Sequence, residues 1–167
     1  MKKLLILAIL GSCVNAEPIK TMVEFFSFRC VHCANVNSKL DTYIAKHQVK
    51  YLDINIDDQP DTNIMYYIAT DAGVGPQFKD AYFKAVAGGM TAYAAVTLDY
   101  VVNEVKTPAM EQLMHSNTER EHIKQKMAYV EKLLSQYHVQ VTPTFLINQT
   151  TLLEGEDVIS TLIGANQ

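Results

Sequence analysis

Cysteine is scarce in this 167-residue chain, and only two of its three cysteines lie close together. Cys30 and Cys33 are separated by Val31 and His32, whereas Cys13 lies alone near the N-terminus. A structural zinc site needs four ligands, usually two pairs of cysteine or histidine. No second cysteine pair exists, and the other histidines form no H-x3-5-H pair. The sequence therefore predicts no metal site.

The N-terminal apolar run is too short for a membrane span. It covers Leu4 to Leu10, far below the roughly 20 residues that cross a bilayer. Two lysines precede it and the small residues "VNA" follow it, so residues 1–16 are predicted to be a signal peptide. The letters "LGSC" also resemble a lipoprotein cleavage box. Two alternatives remain: Cys13 leaves with the signal peptide, or it becomes a lipidated N-terminus.

Positive charge is also scarce. The chain has 14 basic and 18 acidic residues, a formal net charge of -4. Because nucleic-acid binding needs a basic surface, a nucleic-acid partner is not expected. The length suits one compact domain or a domain with a substantial insertion.

The cysteine pair follows an apolar segment and precedes a helical pattern. Met22 to Phe28 is apolar at nearly every position, which predicts a strand buried on both faces. The segment after Cys33 has the spacing of an amphipathic helix, with these apolar positions: Val36, Leu40, Tyr43 and Ile44. Val49 to Ile56 is predicted as a second strand. The cysteines therefore lie at a strand-to-helix junction.

Helix signals dominate from Pro60 to Tyr137. We predict five helices there, with these start or end signals: a cap at Thr62, Pro76 with Gly88 and Gly89, Thr91 to Val105, Thr107 with Pro108, and a capping box at Thr118 to Glu121. Strand patterns return in "VQVTPTFLIN" and "TTLLEG", and "EDVISTLIGAN" closes the chain as a helix. The predicted organisation is one sheet domain, residues 17–60 and 138–167, with a helical insertion at residues 61–137.

The cysteine spacing is best explained by redox chemistry. A disulfide between residues three apart constrains the unfolded chain little, so a purely structural bridge is a weak alternative. If Cys30 lies just before the first helical turn, free backbone N–H groups and the helix dipole favour its thiolate. His32 can add positive charge or a hydrogen bond, and Cys33 would be shielded one turn into the helix. A stabilised thiolate makes the corresponding disulfide more oxidising.

Two further residues are candidates for the same site. Glu24 lies in the apolar strand, where desolvation would raise its pKa and let it exchange a proton with Cys33. The alternative is a strand-end glutamate that reaches solvent. Pro143 cannot donate a ladder hydrogen bond, so the Thr142-Pro143 bond belongs at an edge or turn and is either cis or trans. A cis loop beside the cysteines would leave backbone groups free to pair with a substrate chain.

The segments "FFSFRCVHC" and "TPTF", separated by a helical insertion, resemble the DsbA-like disulfide oxidoreductases of the thioredoxin superfamily. The resemblance spans essentially the whole mature chain. It implies an α/β thioredoxin fold with an inserted all-helical domain. It also implies that Cys30 is the exposed nucleophile, Cys33 the resolving cysteine, Glu24 the buried acid, and Thr142-Pro143 a cis-proline loop facing them.

The resemblance further implies a function. Such proteins oxidise cysteine-containing polypeptides exported to the periplasm, need no bound cofactor beyond their own disulfide, and are reoxidised by a DsbB-type inner-membrane partner. A monomer is expected, with Val31, Thr142 and Pro143 contacting substrate. Val31 replaces the usual proline, and threonine before the cis-proline is common in reducing and isomerising relatives. A reductase or isomerase is therefore one alternative.

A chaperone-like binding module is the other alternative. Its motivation is the aromatic content of the predicted insertion, namely Tyr66, Tyr67, Phe78, Tyr82 and Phe83. These aromatic residues could grip unfolded chains, or they could simply form the core between helices.

Overall fold

A computed structural model describes residues 18–155 and 157–164. The predicted signal peptide and Cys13 lie outside the described residues. The described strands form one four-stranded sheet in the order β2-β1-β3-β4. Their bounds are β1 Thr21–Phe26, β2 Lys50–Asn55, β3 Thr144–Ile147 and β4 Thr151–Glu154. β1 pairs in parallel with β2 and antiparallel with β3, so strands from both ends of the sequence share one sheet, as predicted.

The helices have the predicted order. α1 connects β1 to β2, five helices lie between β2 and β3, and α7 follows β4. Their bounds are α1 Val31–His47, α2 Pro60–Asp71, α3 Gly75–Ala87, α4 Ala95–Val105, α5 Pro108–Met114, α6 Asn117–Tyr137 and α7 Asp157–Gly164. This is the thioredoxin fold with helices inserted between its two halves, as expected. None of the described helices combines the length and the apolar character needed to cross a membrane.

Two predicted helix starts were wrong. α2 begins at Pro60, before Thr62, because the fixed φ of proline suits the first helical position. α6 is capped by Ser116, whose Oγ accepts a hydrogen bond from the Glu119 backbone N–H at 3.1 Å. Ser116 to Glu119 also fits the S-x-x-E pattern, so the helix starts earlier than the box predicted at Thr118.

Two other boundaries differ from the sequence prediction. α4 begins at Ala95 instead of Thr91, since Tyr93 has a left-handed φ of 65° that an α-helix cannot include. The third strand covers only Thr144–Ile147, and the segment up to Pro143 is not part of the ladder. Pro143 lacks a backbone N–H, which explains why regular pairing begins only after it.

Helices cover both faces of the sheet. Met22 of β1 packs in one cluster with Leu40 and Tyr43 of α1. Phe25 packs in another cluster with Leu133 and Leu134 of α6. Successive side chains of a strand point to opposite faces, so Glu24 shares the α1 face with Met22. The fold thereby places Glu24 on the same side of the sheet as the helix that carries the cysteines.

An aromatic cluster packs between the C-terminal end of β1 and the inserted helices. The centroids of its neighbouring rings lie 4.2 to 6.1 Å apart. The cluster consists of Phe26, Phe28, Tyr66, Phe78, Tyr82 and Phe83. All six side chains are buried. Aromatic pairs add to the stability that burial of their surface provides. The cluster anchors the loop that leads from β1 into the cysteine pair.

Candidate active site

Cys30 is the N-cap of α1, as the sequence predicted. Its Sγ accepts a hydrogen bond from the Cys33 backbone N–H at 3.1 Å. Its thiol also lies 3.2 Å from the Thr142 carbonyl oxygen, to which it can donate. The first turn of α1 contains no acidic residue, so nothing there opposes a negative charge on the sulfur. The Cys30 side chain is partly exposed and can be reached from solvent.

The surroundings of Cys30 favour its thiolate. A hydrogen bond from the Cys33 thiol is the largest influence, and it lowers the pKa of Cys30. Burial acts in the opposite direction, but hydrogen bonds from Thr142 and from the backbone N–H groups of Cys33 and His32 add to the lowering. The net result is a pKa of about 6, compared with 9.0 for the free side chain. Cys30 is therefore the more easily ionised thiol of the pair, and its role as the nucleophile remains a prediction.

Cys33 has the opposite character. Its side chain is completely buried. Its hydrogen bond to Cys30 raises the pKa of Cys33 most, and burial and the negative charge of Glu24 raise it further. Cys33 remains a thiol at neutral pH, so it needs a base before it can attack. Neither cysteine of the pair forms a disulfide in this structure.

The titration of Cys30 can be measured directly. We expect the alkylation rate of the reduced protein by iodoacetamide to be half-maximal near pH 6, because only the thiolate reacts. The pKa of Cys30 is lower in the folded protein than in the unfolded chain. Its thiolate therefore stabilises the reduced fold at pH values above the unfolded pKa, and this stabilisation is lost as the pH falls through about 6. Mass spectrometry should locate the adduct on Cys30. The urea-unfolded chain is the control, and a native midpoint above pH 8 would contradict the expectation.

The Thr142-Pro143 segment lies against Cys30. The peptide bond between these two residues is cis, and the Thr142 carbonyl makes the 3.2 Å contact described above. Val141 directly precedes Thr142 and is 47% exposed, and Val31 directly follows Cys30 and is 64% exposed. Two exposed apolar side chains are thus available to a polypeptide that approaches Cys30. That Val31, Thr142 and Pro143 bind substrate remains a prediction.

Glu24 does not reach solvent, so that alternative was wrong. Its side chain is fully buried, but it does not lie in purely apolar surroundings. The Lys79 ammonium group lies 2.6 Å from Glu24 Oε2, and the Tyr51 hydroxyl donates to the same oxygen. Lys79 also lies 3.4 Å from Asp53 Oδ2. The Lys79 ammonium group therefore compensates the charge of the Glu24 carboxylate. The sequence-based expectation considered only the desolvation of Glu24 and did not include a buried cation.

Lys79 is the residue beside Glu24 that the sequence reasoning missed. It belongs to α3, where Phe78, Tyr82 and Phe83 form the apolar stripe that packs against the sheet. Lys79 lies four residues before Phe83 and so falls on the same face of the helix. This spacing was the sequence signal that could have identified Lys79 as buried. A lysine in a buried stripe needs a partner charge, and Glu24 and Asp53 provide it.

Other contacts hold the loop that precedes Cys30. Asp57 accepts a hydrogen bond from the Phe28 backbone N–H at 2.9 Å. The Arg29 guanidinium lies over the Tyr93 ring, 5.0 Å from its centroid. His32 is exposed in the first turn of α1 and contributes its backbone N–H to Cys30. The electrostatic role predicted for its imidazole remains a prediction.

One group of described side chains has a composition that could ligate a metal. Asp71, Glu119 and His122 bring ligand atoms within 4.8 Å of one another, and they belong to α2 and α6. The Lys126 ammonium group lies 2.5 and 2.6 Å from the two Asp71 oxygens. Lys126 thus already supplies a positive charge there. This group includes neither cysteine of the pair.

Comparison with known proteins agrees with this geometry. The family profile described as thioredoxin matches residues 15–163. No curated protein sequence matches the chain. With the profile spanning most of the sequence, the chain belongs to the thioredoxin family.

Among solved structures, the chain is similar to Pseudomonas aeruginosa DsbA, at 17% identity and a TM-score of 0.66, over 89% of this chain and 83% of that one. It is similar to the thiol-disulfide exchange protein α-DsbA2 of Wolbachia pipientis, at 14% identity and a TM-score of 0.66, over 90% and 81%. Proteus mirabilis DsbA with a non-covalently bound peptide matches at 18% identity and a TM-score of 0.59, over 83% and 77%. The resemblance to DsbA-like members of the thioredoxin superfamily is thus confirmed for the fold.

Proposed function

We propose that the protein is a periplasmic thiol-disulfide oxidoreductase that introduces disulfide bonds into exported proteins through Cys30 and Cys33. The observation that carries the proposal is the placement of Cys30 Sγ at the N-cap of α1. There it lies 3.1 Å from the Cys33 backbone nitrogen and 3.2 Å from the Thr142 carbonyl oxygen. A partly exposed, easily ionised sulfur beside a buried thiol is the arrangement that dithiol exchange requires.

The oxidation cycle has two exchange steps. A substrate thiolate attacks Cys30 Sγ of the disulfide, and Cys33 leaves as a thiolate that takes up a proton. The second substrate thiolate then attacks the substrate sulfur of the mixed disulfide, and Cys30 leaves as a thiolate. The substrate gains a disulfide and the protein becomes a dithiol, so two electrons are transferred. The low pKa of Cys30 favours its departure.

The direction of electron flow follows from the same pKa. A thiolate that is stable at neutral pH stabilises the dithiol relative to the disulfide, and the disulfide is then the stronger oxidant. Because Cys30 has a pKa of about 6, we propose oxidation as the physiological direction. Exchange of this kind uses only the cysteine pair and needs no bound cofactor.

The proposed setting is the periplasm. The N-terminal segment at residues 1–16 has the pattern of an export signal, and the similar Pseudomonas and Proteus proteins are DsbA proteins. We propose cysteine-containing exported polypeptides as substrates, a DsbB-type inner-membrane protein as the reoxidising partner, and a monomer as the active state. Both alternatives for Cys13, removal with the signal peptide and lipidation, are compatible with this proposed setting.

The reduction potential tests the proposed direction. Equilibration with glutathione buffers, followed by mass spectrometry of the alkylated protein, should give a potential above about -150 mV, closer to the strong-oxidant value of about -120 mV than to the isomerase value of about -180 mV. A matched measurement on a reducing thioredoxin should give about -270 mV. A value near that of thioredoxin for this protein would overturn the oxidase assignment while leaving thiol exchange intact.

A reductase or isomerase is the second candidate. Val31 occupies the position where the resemblance leads one to expect proline, and Thr142 precedes the cis-proline. Val31 cannot fix the backbone between the cysteines as proline would. A reductase predicts a potential of about -270 mV and an isomerase one of about -180 mV, so the same titration separates both from the oxidase.

The binding-module alternative loses its main support. The aromatic residues that suggested it are all buried, none more than 7% exposed: Tyr66, Tyr67, Phe78, Tyr82 and Phe83. They pack in the core between the sheet and helices α2 and α3. Buried rings cannot grip an unfolded chain, so these residues are structural.

A further inference from the structure

Lys79 is an unusual residue for its position. In the part of the chain that the structure describes, it is the one basic side chain in the buried class, and it is only 2% exposed. Its ammonium group lies 4.1 Å from the centroid of the Phe26 ring. Burying an ammonium ion is costly unless opposite charge compensates it. Its position therefore indicates a role tied to the two acids beside it.

Two carboxylates meet at Lys79 because of the sheet register. Glu24 of β1 and Asp53 of β2 are paired residues of the parallel ladder, so their side chains lie on the same face. Like charges that lie directly opposite each other in a sheet repel. Lys79 contacts Glu24 Oε2 at 2.6 Å and Asp53 Oδ2 at 3.4 Å, and thereby offsets both charges.

The titratable groups around Glu24 come from every element that packs there. They are Cys33 of α1, Tyr51 and Asp53 of β2, Tyr66 of α2 and Lys79 of α3. Burial by itself would lower the pKa of Lys79, but Glu24 and Asp53 outweigh it and the net pKa is raised. Burial likewise raises the pKa of Tyr51. At neutral pH, Lys79 is thus the positive charge of this group.

We propose that Lys79, from the helical insertion, is a positioning residue for disulfide exchange: its ion pair with Glu24 holds this carboxylate in place, so that Glu24 can accept the Cys33 proton. This inference rests on the proposed function. The Glu24 charge acts on Cys33, and Glu24 Oε1 is buried without a hydrogen-bond partner. One carboxylate oxygen is therefore held by Lys79 and Tyr51, and the other is free to take a proton.

The step that depends on Lys79 can be written for glutathione. The Cys30 thiolate first attacks oxidised glutathione, forms a mixed disulfide and releases one glutathione thiolate. Cys33 then transfers its proton to Glu24 and attacks Cys30 Sγ. The Cys30–glutathione bond breaks, the second glutathione leaves as a thiolate that takes a proton from water, and the Cys30–Cys33 disulfide forms. The protein loses two electrons and oxidised glutathione gains two.

Single-turnover kinetics of the reduced protein with oxidised glutathione separate these two steps. Mass spectrometry after acid quenching measures formation and decay of the mixed disulfide as a function of pH. In Lys79→Met, we expect first-step formation to persist, while decay at pH 7 falls at least about tenfold and its pH midpoint rises by about one to three units. Lys79→Arg restores the charge and should return the decay rate to within about threefold of wild type.

Two further variants complete the design. Asp53→Asn removes the competing carboxylate and should lower the pH midpoint of decay, a shift opposite to that of Lys79→Met. Lys84→Met removes an exposed charge from the same helix, where Lys84 pairs with Asp80 at 2.6 Å, and should leave both steps unchanged. A purely structural role of Lys79 would change stability in its variants without moving the two midpoints in opposite directions.

Each outcome supports or overturns the positioning role of Lys79. An unchanged decay midpoint in a folded Lys79→Met protein overturns the inference. If that variant does not fold, Asp53→Asn decides: a lowered midpoint supports the inference and an unchanged one overturns it. If wild-type Cys30 forms no mixed disulfide at all, the proposed function fails at the first step and the inference falls with it, a result distinct from failure at the second step.

Discussion

Replacement of Cys30 by serine is expected to reduce disulfide exchange at least about 1,000-fold, since the proposed cycle uses the Cys30 sulfur as the atom that the substrate attacks and then as the leaving group. The reason lies in the site: the hydrogen bonds that lower the pKa of Cys30 act on a sulfur that a serine hydroxyl cannot replace. The measurement is oxidation of a reduced two-cysteine peptide by the pre-oxidised protein, followed by mass spectrometry.

Cys33→Ala is the matched control for this substitution. It retains Cys30, whose thiolate can still attack a disulfide and form a mixed disulfide, but it lacks the buried Cys33 thiol that would attack Cys30 Sγ and resolve it. In living cells, it should therefore accumulate covalent complexes with natural substrates. Full biological function in Cys30→Ser would contradict the exchange mechanism and favour a role in binding alone.

Replacement of Phe28 by alanine is expected to lower the free energy of unfolding of the reduced protein by about 3 to 5 kcal/mol. Phe28 is 1% exposed and its ring lies 4.2 Å from the Tyr82 ring, centroid to centroid. Truncation would leave a cavity where β1 meets the insertion. Urea unfolding monitored by circular dichroism measures the effect.

Tyr129→Ala is the control for the stability prediction. This tyrosine of α6 is 59% exposed, so its truncation should change the free energy of unfolding by no more than about 0.5 kcal/mol. A loss below about 1 kcal/mol for Phe28→Ala would show that the aromatic cluster does not carry the packing between the sheet and the insertion.

The strand-helix junction could be predicted because its signals are local. The apolar run of β1 and the amphipathic spacing of α1 lie in one segment of 26 residues, Met22 to His47, which includes the pair. Cys30 was expected at the start of the helix, and it is the N-cap. The helix starts of α2 and α6 were missed by short distances because several nearby residues can cap a helix, and the choice among them depends on packing.

Burial separated the alternatives that the sequence left open. A glutamate in a strand is compatible with solvent or with the core, and the structure places Glu24 fully in the core. The aromatic residues of the insertion were compatible with a binding surface or with a helix core, and they form the core. Residue type and spacing do not distinguish these cases, because burial depends on which elements come to lie opposite.

The sequence by itself determined the reactive chemistry: two cysteines three positions apart at the start of a helix, where backbone N–H groups act on the sulfur over a single turn. Tertiary structure alone decided what completes the site. The Thr142 carbonyl reaches Cys30 across 112 positions of sequence, and Lys79 reaches Glu24 across 55. Such contacts arise only when the chain folds, because sheet register and helix packing, not local spacing, bring these groups within hydrogen-bonding distance.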